Sequence, residues 1–232
     1  MRTLINARVA GILYLIIIVF GIFSEMVVRS SVTVAGDPTA TAENIRNAEG
    51  LFRLGFVANL AYLLCEVAMT AILYLLLRPV SSAVSLVAAA FRLATVTILG
   101  LNLLNMFAAL LILEGPDYPA AFALFFLDLH RYGYALGLTF FAVNCVAMGY
   151  LLARSSHAPT TLGILLGVAG LGYLANSLLW FLVSGYGGTV RLGLLVPALL
   201  AETWFCLLLL RKGGGVPEWA EPGRGVDPGC PR

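Results

Sequence analysis

The chain has 232 residues, 60% of them hydrophobic and only 11% charged, with a formal net charge of +2. Ordinary soluble domains carry roughly a quarter charged residues, so the composition excludes a water-soluble globule. So mild a charge gives no reason to expect a nucleic-acid partner. A mean hydropathy of +0.94 makes the lipid bilayer the expected solvent and first partner.

Six apolar runs follow one another with short polar breaks. They predict spans at about 7–28, 53–77, 82–113, 128–153, 161–184 and 190–210. The first run follows Arg2 and Arg8 as a signal peptide would, but no small-x-small cleavage site sits at Ser24-Glu25-Met26-Val27, so a retained span is expected. Next, Asp37-Pro38 reads as an N-cap with proline in the first helical turn. Ile45, Ala48 and Phe52 recur at helical spacing after it, which predicts a short amphipathic helix on the membrane surface. Glu114-Gly115-Pro116 ends the third span, and Pro119 opens a second short helix over 120–127 that leads into the fourth.

The expected fold is therefore all-α: a polytopic membrane bundle of six transmembrane helices, N-in/C-in, with short interfacial helices on the outer side. Residues 1–212 form the transmembrane domain, and the Gly- and Pro-rich stretch 213–232 a disordered cytoplasmic tail. Orientation rests on basic residues near the span ends: Arg2, Arg8, Arg78, Arg154, Arg211 and Lys212 on the inner side. Arg29, Arg46, Arg53, Arg131 and Arg191 fall outside, mixed with Asp37, Glu43, Glu49, Glu114, Asp117 and Asp128.

Each span carries a stripe of polar or small residues at helical spacing, which should face protein because a polar group in hydrocarbon needs a partner. The stripes are Gly11, Tyr14, Gly21, Glu25; Asn59, Tyr62, Glu66, Thr70; Ser85, Arg92, Thr95, Asn102; His130, Gly137, Asn144; Gly163, Gly167, Gly170, Tyr173, Asn176; and Arg191, Glu202, Cys206. Counted from the inner span ends at 1.5 Å per residue, Glu66, Arg92, Asn144 and Glu202 all fall roughly 13–17 Å deep, near the midplane of a ~30 Å core. The tight turn Arg78-Pro79-Val80-Ser81 makes the second and third spans neighbours, so Glu66 and Arg92 are expected to pair. Glu202 is then a surplus carboxylate, as a proton- or cation-coupled transporter requires. These four form the candidate ligand- or ion-binding cluster. A second, outer polar cluster comprises Glu25, Arg53, Asn102, Asn105, Asp128 and His130, with Arg131 beside it. It reads as a solvated rim or as the mouth of a cavity leading down to the first cluster.

Chemistry of other kinds has little support. Cys65, Cys145 and Cys206 lie in apolar runs and Cys230 in the tail, and no CxxC or Cys/His spacing suggests a metal site. His130 and His157 are the only histidines and fall on opposite sides, so no metal and no cofactor is expected. No nucleophile motif, phosphate loop or nucleotide fingerprint is present, and no catalytic residue is assigned. The leading reading is small-ligand binding, or ion- or proton-coupled transport, through the mid-membrane cluster. The alternatives are a non-catalytic interaction or regulatory subunit, and an outer-face lipid-modifying enzyme using Asp128 and His130. Nothing in the sequence sets the oligomeric state.

One stretch is less generic. Leu129-His130-Arg131-Tyr132-Gly133-Tyr134-Ala135-Leu136-Gly137-Leu138 is followed by Phe140-Phe141, Gly149-Tyr150-Leu151-Leu152 and Ala169-Gly170-Leu171-Gly172-Tyr173-Leu174. With Asn6-Ala7-Arg8-Val9-Ala10-Gly11 near the start and Phe91-Arg92 in the third span, the chain resembles the bacterial integral-membrane family catalogued as domain of unknown function 4386. The resemblance runs to Arg211. It implies a multi-span protein of the bacterial plasma membrane, with His130 and Arg92 matching the family pattern. It also implies His at the position of Asn144, a departure that argues against a metal ligand there.

Overall fold

A computed structural model of the chain describes residues 6–34, 36–115, 118–183, 185–186 and 188–212. Arg2, Pro116, Asp117, Cys230 and the expected tail lie outside these. Six helices are long and apolar enough to cross a membrane: α1 (Ala7–Val32), α3 (Glu49–Leu77), α4 (Ser82–Glu114), α5 (Ala120–Arg154), α6 (Thr160–Leu182) and α7 (Gly188–Lys212). A short helix, α2 (Pro38–Asn47), joins the first two. The protein is an all-helical membrane bundle, as the apolar runs predict.

The helix starts follow local chemistry. The side chains of Asn6, Asp37 and Ser81 accept hydrogen bonds from the backbone N–H of Arg8, Ala40 and Val84, while α5 and α6 begin directly after Pro119 and Pro159. The second short helix expected at 120–127 is not separate. It forms the first two turns of α5, because nothing after Pro119 interrupts helical hydrogen bonding. At 35 residues, α5 is roughly 52 Å long and outruns a ~30 Å hydrocarbon core. The amphipathic stretch after Asp37 breaks at Ala48, which leaves helical geometry with φ −118° and ψ 30°, so Phe52 belongs to α3. The apolar side of α2 is turned into protein: Ile45 is fully buried in a cluster with Val28, Val32, Phe52, Met106, Leu110 and Leu113. Arg46 Nε donates to the Leu113 carbonyl near the end of α4.

The spans pack as a closed ring in chain order. Each of α3 to α7 lies against its predecessor among the spans, and α1 closes the ring against α7. Neighbours are antiparallel all round, and the start of α1 meets the end of α7 at one end of the bundle, where Arg8 Nε donates to the Leu210 carbonyl at 3.3 Å. Near that end α1 and α7 touch closely. A Cβ on Gly11 would come within 2.8 Å of the Leu210 nitrogen, and the Tyr14 and Phe205 rings meet edge-on. Two apolar clusters bracket the polar middle. The larger, with Tyr14, Leu76, Leu151, Leu162, Phe205 and Leu209, fills the end that holds the termini. The smaller fills the opposite end only on the side of α1 to α5.

The stripes do face inward. Tyr14, Glu66, Thr70, Arg92, Thr95, Asn102, Asn144 and Asn176 are all buried, although hydrocarbon-facing residues surround them in sequence. Glycines on the stripes let backbones approach, most closely between α5 and α6. A Cβ on Gly163 would lie 2.5 Å from the Ala153 nitrogen and 2.6 Å from the Gly149 carbonyl oxygen. A Cβ on Gly167, by contrast, would meet nothing within 4 Å. Gly163→Ala is therefore expected to destabilise the bundle by about 1–3 kcal/mol, because backbone must move. Gly167→Ala should be neutral, or stabilising by up to about 1 kcal/mol through helix propensity. Unfolding of the purified protein in mixed micelles by added SDS would measure both; equal losses would contradict this seam.

Candidate functional site

At the centre of the ring lies Arg92, only 4% exposed. Its Nε donates to Glu66 Oε2 at 2.6 Å and its Nη2 to Glu66 Oε1 at 3.2 Å, a two-pronged pair across α3 and α4. Nη1 donates to Asn144 Oδ1 on α5 at 3.4 Å, and Asn144 Nδ2 donates back to the Ala88 carbonyl at 2.9 Å. The guanidinium carbon also sits 5.8 Å from the Tyr14 ring centroid and 5.3 Å from that of Phe141. Desolvation makes such a cation costly; an opposite charge, a neutral acceptor and two aromatic faces compensate it together.

Glu202 is placed differently. Its Oε1 accepts from the Tyr173 hydroxyl at 2.7 Å, and no Lys or Arg among the described residues lies within 4.0 Å of it. It shares a cavity of about 220 Å³ with Glu66 and Arg92, lined also by Tyr62, Tyr134 and Tyr173 and by apolar side chains such as Leu63, Leu99 and Leu138. Three of the four residues in the predicted mid-membrane cluster therefore line one chamber. Asn144 stands behind Arg92 and holds it.

The outer cluster divides. Glu25, Asn102 and His130 line the far end of the same cavity. Asn102 and His130 clasp each other across α4 and α5. The Asn102 side chain donates to the His130 carbonyl at 2.8 Å, and His130 Nδ1 lies 3.1 Å from the Asn102 carbonyl, which can only accept. Asn105 reinforces the clasp by donating to Asn102 Oδ1 at 3.0 Å. Arg53 sits apart on the rim, bonded to Glu49 and Glu114. Asp128 pairs with Arg131 at 3.0 Å, so the structure does not bring Asp128 and His130 together.

Several cavity features come from backbone irregularities that no motif marked. A wider, π-helical stretch in α1, Phe23–Arg29, carries Glu25 and Ser24, and Asn59 donates to the Ser24 hydroxyl. Pro197 interrupts the hydrogen bonding of α7 shortly before Glu202. Ile22 of α1 and Leu199 of α7 line the cavity while being 48% and 61% exposed, so the chamber opens between these two helices. Tyr173 was legible only as a stripe residue; its bond to Glu202 depends on the angle between α6 and α7.

The family model described as Domain of unknown function (DUF4386) matches residues 9–213. The chain belongs to this family. A relative from Archaeoglobus fulgidus, described as an uncharacterized protein, is 30% identical over 156 residues, covering 67% of this chain and 82% of that one. No solved structure matches.

In this DUF4386 chain the least generic stretch, 129–138, proves to be a packing signature. His130 makes the clasp, and Gly133 leaves room for Asn102, whose side chain a Cβ there would strike. Arg131 lies over the Trp180 ring and Tyr132 packs between Trp180 and Phe181. Tyr134 faces the cavity, and Gly137 admits Leu99.

The central pair yields a direct test. Glu66→Gln leaves the buried Arg92 charge without its counter-ion and is expected to cost about 3–5 kcal/mol of stability. Adding Arg92→Met should recover most of that loss. A double variant as unstable as the sum of its single variants, in a detergent unfolding cycle, would show that the pair is not coupled.

Proposed function

We propose that the protein is a multi-pass protein of the bacterial plasma membrane, with both chain ends cytoplasmic. In this reading it binds a small ligand or ion in the central chamber and couples its movement to proton or cation exchange at Glu202. The observation that carries this is the chamber itself: one space holding Glu66, Arg92 and Glu202, next to an end of the bundle closed by apolar packing. Basic residues support the orientation, Arg8, Arg78, Arg154 and Arg211 marking the end that holds the termini.

The residues divide the work. Glu66 and Arg92 neutralise each other and present fixed polarity to a ligand. Glu202, held only by the Tyr173 hydroxyl, is the group free to gain and lose a positive charge, because no guanidinium competes for it. The chamber, about 220 Å³ and open between α1 and α7, suits a hydrated ion or a small molecule. Glu25, Asn102 and His130 line the way in from the other end.

Glu202→Gln keeps the shape and the acceptor for Tyr173 but removes the exchangeable charge. In vesicles holding a trapped pH dye, wild-type protein should dissipate an imposed gradient, and Glu202→Gln should reduce that flux by about tenfold or more. Undiminished flux in the variant would end the coupling role.

A further inference from the structure

A second chamber of about 240 Å³ adjoins the first at the end away from the termini, sharing Glu25, Tyr134 and Leu138 with it. Its chemistry is of the opposite sign. Arg29 of α1, Arg131 of α5 and Arg191 of α7 all line it, against the single carboxylate of Glu25. From the convergence of these three arginines we infer that the chamber binds the phosphate, or phosphate ester, of an anionic ligand.

The arginines are held in place and are only partly satisfied. Arg131 and Arg191 flank the Trp180 indole, at 5.5 Å and 5.6 Å from a ring centroid. Such cation–π contacts hold the guanidinium groups without using up their N–H donors. Arg29 is bonded to Glu25 at 2.8 Å and Arg131 to Asp128 at 3.0 Å. Arg191 has no carboxylate or other hydrogen-bond acceptor among the described residues; its recorded contact is the indole. A neutral donor adds to the site. Asn176, 1% exposed, lines the chamber and accepts from the Tyr186 hydroxyl at 3.1 Å through Oδ1, while its Nδ2 makes no hydrogen bond among the described residues. Ser30 and Thr33 complete the polar wall. Guanidinium forks around an oxyanion with several equivalent oxygens make charge-assisted, paired hydrogen bonds, which suits phosphate better than a halide.

The place in the fold fits this ligand. The apolar cluster at this end covers the α1 to α5 side and omits α6 and α7, so the chamber is left where no hydrophobic plug fills the ring. Phosphate can arrive there as the headgroup of an anionic lipid or as a free anion. The inference goes beyond the role of Glu202, since no residue of the mid-membrane pair is needed for it.

The test uses the full chain in two arms. In nanodiscs of phosphatidylcholine, inorganic phosphate is titrated while tryptophan emission is followed, with Trp180→Phe identifying the responding indole. In parallel, protein extracted from vesicles of equal phosphatidylcholine and phosphatidylglycerol is examined by native mass spectrometry for retained lipid. Saturable phosphate binding identifies a soluble anion, and selective phosphatidylglycerol retention a headgroup; either supports the site. Arg191→Gln should weaken the response by about tenfold or more, Arg191→Lys by less, and Arg211→Gln at the opposite end not at all. If Arg191→Gln does not fold, Arg131→Gln takes its place with the same expectation. Absence of both kinds of binding, or equal losses in the Arg191 and Arg211 variants, overturns the proposal. The vesicle flux of Glu202→Gln reads the other chamber, so the two failures are distinguishable.

Discussion

A guanidinium fixed at the centre of a helical ring is the constraint from which the bundle is arranged. Arg92 is almost fully buried, so its surroundings must supply acceptors from other helices. Glu66 on α3 takes two N–H groups, Asn144 on α5 takes a third, and the Tyr14 and Phe141 rings cover the faces. Four of the six spans are tied to one side chain. The interaction specifies which helices adjoin and at what height, because sliding α3 against α4 by one turn, about 5.4 Å, would strand a charge in hydrocarbon, and sliding α1 or α5 would take away an aromatic face or an amide acceptor. Apolar packing alone discriminates far less between registers, since lipid is as good a solvent for leucine as another helix is.

The remaining spans are joined by a different device and to a different end. Tyr173 on α6 and Glu202 on α7 form a pair of their own, facing the Arg92 group across open space rather than touching it. Around that space the two irregular helices are α1 and α7: α1 widens at Phe23–Arg29, and α7 contains Pro197. Both irregularities lie where these helices line the chamber and part from one another. Below them Gly11, Tyr14, Phe205 and Leu210 keep the same two helices in close contact. The ring is thus closed at one end and loosened at the other by local backbone features.

Much of this was legible in the sequence, and the limits are physical. Span number and the inward stripes follow from hydropathy and a 3.6-residue period, both local properties. The Glu66–Arg92 pair was legible because a four-residue turn joins their helices, which fixes neighbour and direction together. Equal counted depth was the reason to group Glu202 with that pair, and it lines the same chamber; depth says nothing about rotation, so its hydrogen bond to Tyr173 could not be read. For the same reason the outer cluster divided. Glu25, Asn102 and His130 turn toward the chamber, whereas Arg53 and Asp128 find partners on the rim. The separate helix expected at 120–127 failed for another reason: Pro119 can begin a helix, but nothing after Leu127 ends one.

The least generic stretch of the sequence, 129–138, is therefore a poor guide to chemistry. Within 129–138 the histidine is engaged with backbone, one glycine makes room for an asparagine, and an arginine and a tyrosine pack on Trp180. A reactive histidine needs a ring nitrogen and a second group directed at a substrate, and Asp128, the nearest acid in sequence, is turned to Arg131. Glu202 and Arg191 lie outside that stretch, on α7. A site intended to exchange ions or ligands needs charges that the fold does not already satisfy, and those are the charges a packing signature leaves out.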